Sequence, residues 1–155
     1  IGSLKHAMIY MGEAELKKFI ALLALANLSE DGPNELLNMS IVRGRFCDRL
    51  AAIKGDPDNP PAAFLAGLFS LVDALLEQPL INLLDDLPIL PEIKAALLEG
   101  EGHLGIYLRL AKAYEFGDWE LQKELTQQIF GKEMDLSNEY LLCIDWAHGL
   151  MKEAG

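Results

Sequence analysis

Histidine supply sets the ceiling on hydrolytic and metal chemistry in this chain, because His6, His103 and His148 are its three imidazoles. A divalent-metal hydrolase needs neutral imidazoles and carboxylates that converge, so that the metal can hold a hydroxide. No histidine here is followed by Asp, and no two share a helix at ligand spacing, so neither an H-E-x-x-H segment nor a His-Asp doublet occurs. A scattered histidine more often caps, faces solvent or hydrogen-bonds within a core, and His6 reads as structural. His103, His148 and Asp145 are the nearest approach to a metal set, and a poor one. No residue is assigned as catalytic, cofactor-binding or metal-ligating, and no cofactor is expected.

The other reactive side chains follow the same pattern. Asp85 and Asp86 most simply solvate a turn before Pro88, whereas Asp73 and Asp145 sit in apolar helical stretches. A buried acid there would need a partner or a shifted pKa, and the simpler reading places both on an exposed face. There is no G-x-x-x-x-G-K-[ST], no G-x-G-x-x-G after a strand and no G-x-S-x-G elbow. Cys47 and Cys143 form no C-x-x-C pair and read as small core residues. Trp119, Trp146, Tyr107, Tyr114 and Tyr140 concentrate in the last third, and at helical spacing they are expected between packed helices more than along a ligand groove.

Arg43, Arg45 and Arg49 are the one local concentration of positive charge, and they form the candidate interaction face. Arg45 and Arg49 are helix neighbours, with Asp48 three residues from Arg45, so mutual pairing on a solvated surface is the plain reading. Net charge works against polyanions. The chain totals -11; residues 1–54 carry 7 basic and 6 acidic groups, and residues 55–155 carry 6 and 18. Nucleic-acid binding draws on phosphate neutralisation, so no nucleic-acid partner is expected. A cyclic dinucleotide would have to be held by a few arginines.

These groups are positioned by helices. Ser3 can cap a helix ending at Gly12, and Glu13 opens a second one carrying Leu16, Phe19, Ile20, Leu22, Leu23 and Leu25. Residues 29–32 read as a loop. Pro33 suits the first turn of a third helix, whose Leu36, Leu37, Ile41, Val42, Phe46, Leu50 and Ile53 recur at helical spacing until Gly55. Residues 54–61, Lys-Gly-Asp-Pro-Asp-Asn-Pro-Pro, predict a surface loop within one domain. Residues 62–77 predict a central helix, apolar nearly all round, in which Gly67 permits close helix approach. Shorter helices are expected near 80–86 and 91–99, then at 103–116, 119–130 and 138–154, with Asp118 and Ser137 as N-caps and Gly117 and Gly131 as stops. No stretch alternates with period two, and no fixed repeat emerges. The expectation is an all-α fold, an irregular globular multi-helix bundle in a single domain over 1–155. The absence of an initiator Met before Ile1 suggests a domain truncated at its N-terminus. The longest apolar run, 62–72, is too short to span a membrane, and no secretory signal precedes it. A reducing cytoplasm is the expected setting.

Residues 4–12, with His6-Ala7 and Met11-Gly12, followed by Leu16-Lys17-Lys18-Phe19, resemble the helix-turn-helix of HDOD domains, the HD-related output domains of bacterial signalling proteins. Residues 37–50, including Val42-Arg43-Gly44-Arg45-Phe46-Cys47, and the block 64–76 are similar to the C-terminal portion of HDOD proteins that carry an EAL phosphodiesterase-like domain upstream. Residues 88–98, Ala113-Tyr114-Glu115 with Gly117-Asp118-Trp119, and Trp146-Ala147 extend the likeness. The resemblance implies a helical fold related to HD phosphohydrolases that has lost their metal-binding residues. It therefore implies a non-catalytic regulatory module, not an enzyme, in a multidomain protein linked to cyclic di-GMP. The implied partner is another protein or the neighbouring EAL-like domain, with a homo-oligomer also open and no membrane contact. The alternative is a divalent-metal HD-type phosphohydrolase acting on a nucleotide or phosphodiester.

Overall fold

Proline opens helix α1 (Pro33–Lys54) at a first turn whose N–H would lack a helical partner in any case. Gly55, at φ +81°, closes it: its N–H reaches the Ala52 carbonyl while Asp56 N–H reaches Ala51 O, the double bond of a Schellman end. The computed structural model describes residues 33–56, 60–71, 73–74, 79, 81–82 and 91–154. The expected helices before Pro33, the loop at 29–32, His6, Asp85 and Asp86 lie outside the described residues, as do 57–59 of the expected surface loop and most of the piece near 80–86. Among the described residues the fold is all-α. Helix α1 is followed by α2 (Pro60–Phe69), α3 (Pro91–Glu99), α4 (Gly102–Glu115), α5 (Trp119–Phe130) and α6 (Ser137–Ala154).

Helix α1 is the hub, with its most extensive contact against α2 and further contacts with α4 and α6. Helix α4 touches α1, α2, α3 and α5. At the α1–α2 crossing both helices lack a side chain. A Cβ on Gly67 would come within 2.5 Å of the Arg43 carbonyl group and the Gly44 nitrogen, and one on Gly44 within 2.9 Å of Phe64 O. The expectation that Gly67 permits close approach is met, and Gly44 supplies the other half. Every residue from 62 to 69 is buried, which α2 tolerates because it is apolar all round.

Two local expectations are corrected. The central helix does not run to 77 but stops at Phe69, where Ser70 donates both its N–H (3.3 Å) and its hydroxyl (2.6 Å) to the Gly67 carbonyl. That hydroxyl also accepts from Arg43, so a tertiary contact overrides local propensity. Ser137 is the first residue of α6 and not its cap; Asp135 Oδ1 accepts its N–H at 3.0 Å. Asp118 does cap α5, accepting from Leu121 N–H at 3.1 Å, and Gly131 ends it at φ +75°.

The core centres on Phe46. Its ring meets Tyr114 of α4 and Tyr140 of α6 edge-on, with centroids 5.2 and 5.1 Å apart, so one α1 side chain joins three helices. The Tyr114 hydroxyl then accepts the Leu136 N–H at 2.9 Å and fixes the chain entering α6.

Gly67→Ala is expected to destabilise the fold by about 2–3 kcal/mol, because backbone and not a flexible side chain occupies the Cβ position. Gly149→Ala, in α6 with open space around it, is expected to stabilise by about 0.5–1 kcal/mol by removing backbone entropy from the unfolded chain. Urea titrations of the two variants check both signs.

Candidate interaction surface

The arginine row of α1 proves to be three different structures. Arg43 points into the protein and is 5% exposed, which removes it from the expected interaction face. Its Nε and Nη2 donate to the two carboxylate oxygens of Glu115 at the end of α4, the second at 2.9 Å, and its Nη1 donates to Ser70 Oγ at 3.1 Å. The cause is geometric: with Gly44 and Gly67 at the crossing, α1 lies so close to α2 that residue 43 faces the end of α2 and not solvent. The bidentate fork to Glu115 and the bond to Ser70 together leave no guanidinium nitrogen of Arg43 without an acceptor, which is the condition for burying such a charge. Arg45 pairs with Asp48 at 3.1 Å, and its guanidinium carbon lies 5.0 Å from the Trp146 ring centroid. Arg49 Nε donates to Glu139 Oε1 at 2.6 Å, and that bond raises the arginine's pKa further. Two of the three therefore pin α6 onto α1, and little of the positive row remains to receive an anion.

Beneath this row lies a layer that titrates late. Burial pushes the Cys47 thiol far above its usual value, against the lowering effect of Arg43, and pushes Cys143 up to about 12. Burial likewise raises Tyr140 to about 12, with Glu115 adding to it. Both cysteines are buried, as expected of small core residues, and their protonated thiols are poor nucleophiles and poor metal ligands.

A second cluster forms where the chain leaves α1. Asp56 Oδ2 lies 3.5 Å from the Tyr107 hydroxyl, which donates to it, and 3.7 Å from His103 Nε2. Burial first, and then the Asp56 charge, raise Tyr107 to about 12, so the phenol keeps its proton as a donor. His103 also borders a shallow cleft of about 200 Å³ with Glu92, Ala95, Glu101, Gly102 and Leu104. The sketched metal set is not assembled: His148 and Asp145 are exposed on α6, and His103 belongs to the Asp56 cluster. Asp73 is half-buried and accepts the Ala74 N–H at 2.9 Å. Among the described residues no three His, Cys, Asp or Glu side chains converge as metal ligands, and no helix is long and apolar enough to cross a membrane.

Besides the scattered Ile53, Ile81 and Leu98, large apolar side chains stand in solvent in two groups among the described residues. On α6 they are Leu141, Leu142 and Ile144; at the corner between α4 and α5 they are Phe116, 77% exposed, and Trp119, 68% exposed. Of the aromatic residues expected between helices, Tyr107, Tyr114, Tyr140 and Trp146 are packed against the core or part of it, and Trp119 is not. Nothing in the spacing of Trp119 gave this away. The adjoining Gly117-Asp118 pair was the available signal, since a stop followed directly by a cap leaves the flanking residues at a corner.

Comparison with known proteins places this geometry beside two relatives. The chain is 37% identical over 150 residues to a protein named cyclic di-GMP phosphodiesterase CdgJ of Vibrio cholerae serotype O1, covering 97% of this chain and 35% of that protein. It is 31% identical over 154 residues to the uncharacterized protein YuxH of Bacillus subtilis (strain 168), covering 97% of this chain and 37% of that protein. The chain thus spans little more than a third of the length of the curated relatives it matches. No family model matches the chain, and no solved structure does. The expectation that the chain is not an enzyme is overturned by the first relative, whose name is that of a phosphodiesterase. The absence of a His-Asp doublet, on which that expectation leaned, concerns one type of metal site and not hydrolysis in general.

Removing one partner of the buried pair, by Arg43→Met or Glu115→Gln, is expected to cost about 3–5 kcal/mol, whereas Arg45→Gln stays within about 1 kcal/mol. Chemical denaturation of the three variants measures the contrast. The thiols add a pH dependence. An unfolded thiol ionises near 9.0, whereas folded Cys143 keeps its proton to about 12 and Cys47 beyond that. As pH rises through this interval the unfolded chain holds fewer protons than the folded one, so stability is complete below about pH 9 and declines above it. Urea midpoints between about pH 8 and about pH 11 should show the decline, and Cys143→Ala should make it shallower.

Proposed function

We propose that this chain is the helical portion of a bacterial cyclic di-GMP phosphodiesterase, of the HDOD type that its sequence resembles, and that it serves that enzyme through contacts with the rest of the protein. The observation that carries the reading is the 37% identity to the protein named cyclic di-GMP phosphodiesterase, continuous over 97% of this chain. Identity of that extent along a whole helical array supports a shared architecture and a shared signalling context.

The geometry supports the second half of the reading. The arginines of the α1 row are engaged within the fold: Arg43 on Glu115, Arg45 on Asp48 and Trp146, Arg49 on Glu139. What the surface offers instead is acidic residues and exposed large apolar side chains, the composition of a protein-contact surface more than of a phosphate site. The partner in this reading is the remainder of the same protein, and the setting is the cytoplasm, where the nucleotide is made and degraded.

The test is catalytic. The full-length protein, supplied with Mg²⁺ or Mn²⁺, is expected to hydrolyse a phosphodiester bond of cyclic di-GMP to give the linear dinucleotide, followed by chromatography. Absence of turnover with either metal, in protein whose circular dichroism shows the helices formed, would overturn the reading.

A further inference from the structure

The corner between α4 and α5 is built more rigidly than a surface connection requires. Helix α4 ends in a Schellman motif: Gly117, at φ +65°, donates to Tyr114 O at 3.3 Å and Asp118 N–H donates to Ala113 O at 2.9 Å. Asp118 at once caps α5, its carboxylate accepting from Leu121 N–H and its carbonyl accepting from Gln122 N–H at 3.0 Å. The buried Gln122 side chain returns a third bond to Ala113 O at 3.2 Å. The turn is held by backbone and by the Asp118 and Gln122 side chains. Phe116 adds only its backbone N–H, donated to Lys112 O at 3.0 Å, and its ring and that of Trp119 both stand in water.

Aromatic rings exposed on a held backbone are the form that interface anchors take, because little backbone freedom is left to lose on docking and an aromatic ring has few rotamers to lose. Area decides which kind of partner fits. Two such rings bury on the order of 300–500 Å² together, short of the ~800 Å² per partner that a stable complex of separate proteins needs. The surroundings do not extend the patch, since Asp118, Glu120, Lys123 and Glu124 are exposed and charged. A patch this small holds a partner only when a covalent tether supplies a high effective concentration. In the reading under Proposed function, the remainder of a protein as long as its relatives is such a tethered partner.

We propose that Phe116 and Trp119 dock into an apolar pocket edged by Lys or Arg on the phosphodiesterase portion of the same polypeptide. The basic edge follows from the net negative charge of the exposed residues around the corner, Asp118, Glu120 and Glu124 against Lys123, which lies one helical turn from Trp119. This inference rests on the reading under Proposed function, and names the surface through which that reading operates.

A photo-crosslinking amino acid, benzoylphenylalanine, is placed at position 116 of the full-length protein, where 77% exposure makes the replacement harmless to folding. On irradiation and mass spectrometry the crosslink is expected to land in the same polypeptide outside residues 1–155. Mixing light and isotopically heavy protein separates this from a crosslink to a second copy. A crosslink to another copy, to a different protein, or none at all overturns the proposal. Trp119→Ala in the same protein is expected to lower the yield at least about threefold, as is Glu120→Lys with Glu124→Lys. An unchanged yield for the first removes the aromatic anchor, and for the second the basic edge. Turnover of cyclic di-GMP measured on these preparations keeps the two readings apart: a crosslink without turnover retains the surface and removes the phosphodiesterase, and turnover without the crosslink does the reverse.

Discussion

The close crossing of α1 and α2 at Gly44 and Gly67 is the constraint from which the rest of the structure follows. With a methyl group at either position the backbones could not approach as they do, since one Cβ would meet Arg43 and Gly44 backbone atoms and the other the Phe64 carbonyl. The approach sets the rotation of α1. That rotation turns Arg43 inward to Ser70 and Glu115, and Phe46, three residues on, toward Tyr114 and Tyr140. One pair of absent side chains thus decides which face of α1 receives α4 and which receives α6.

Charge in this chain does two kinds of work that composition does not separate. An acidic excess of -11 keeps the surface apart from polyanions, while a small set of cations is drawn into the interior or across helix boundaries. Arg43 and Glu115 are expensive to desolvate and cohere only because every guanidinium nitrogen finds an acceptor. Arg45 and Arg49 are weaker bonds on the rim of the same junction, useful for holding α6 in register more than for stability. The thiols and the Tyr140 phenol beneath them are held above their ordinary values chiefly by removal from water.

The site was less legible than the fold, and the difference has a physical origin. Helix positions follow from local terms: Pro33, Gly55, Asp118, Gly117 and Gly131 act within one turn of where they stand, and each did what its side chain or missing side chain dictates. The end of α2 is not legible locally because Ser70, besides bonding back to Gly67 O, also accepts from Arg43, 27 residues earlier. Arg43, Arg45 and Arg49 looked alike at helical spacing. Their fates diverged through Glu115, Trp146 and Glu139, none within a turn of its arginine.

By itself, the sequence determined the all-helical fold and most of the helix boundaries among the described residues, the burial of both cysteines and the absence of a His-Asp doublet, because propensity, capping and hydrophobic period are properties of neighbouring residues. Only the tertiary structure decided that Arg43 is interior, that Gly44 shares the crossing with Gly67, and that Phe116 and Trp119 stand outside the core. Those outcomes depend on the relative rotation and separation of whole helices. That rotation is fixed by contacts between residues far apart in the chain, to which no local pattern responds.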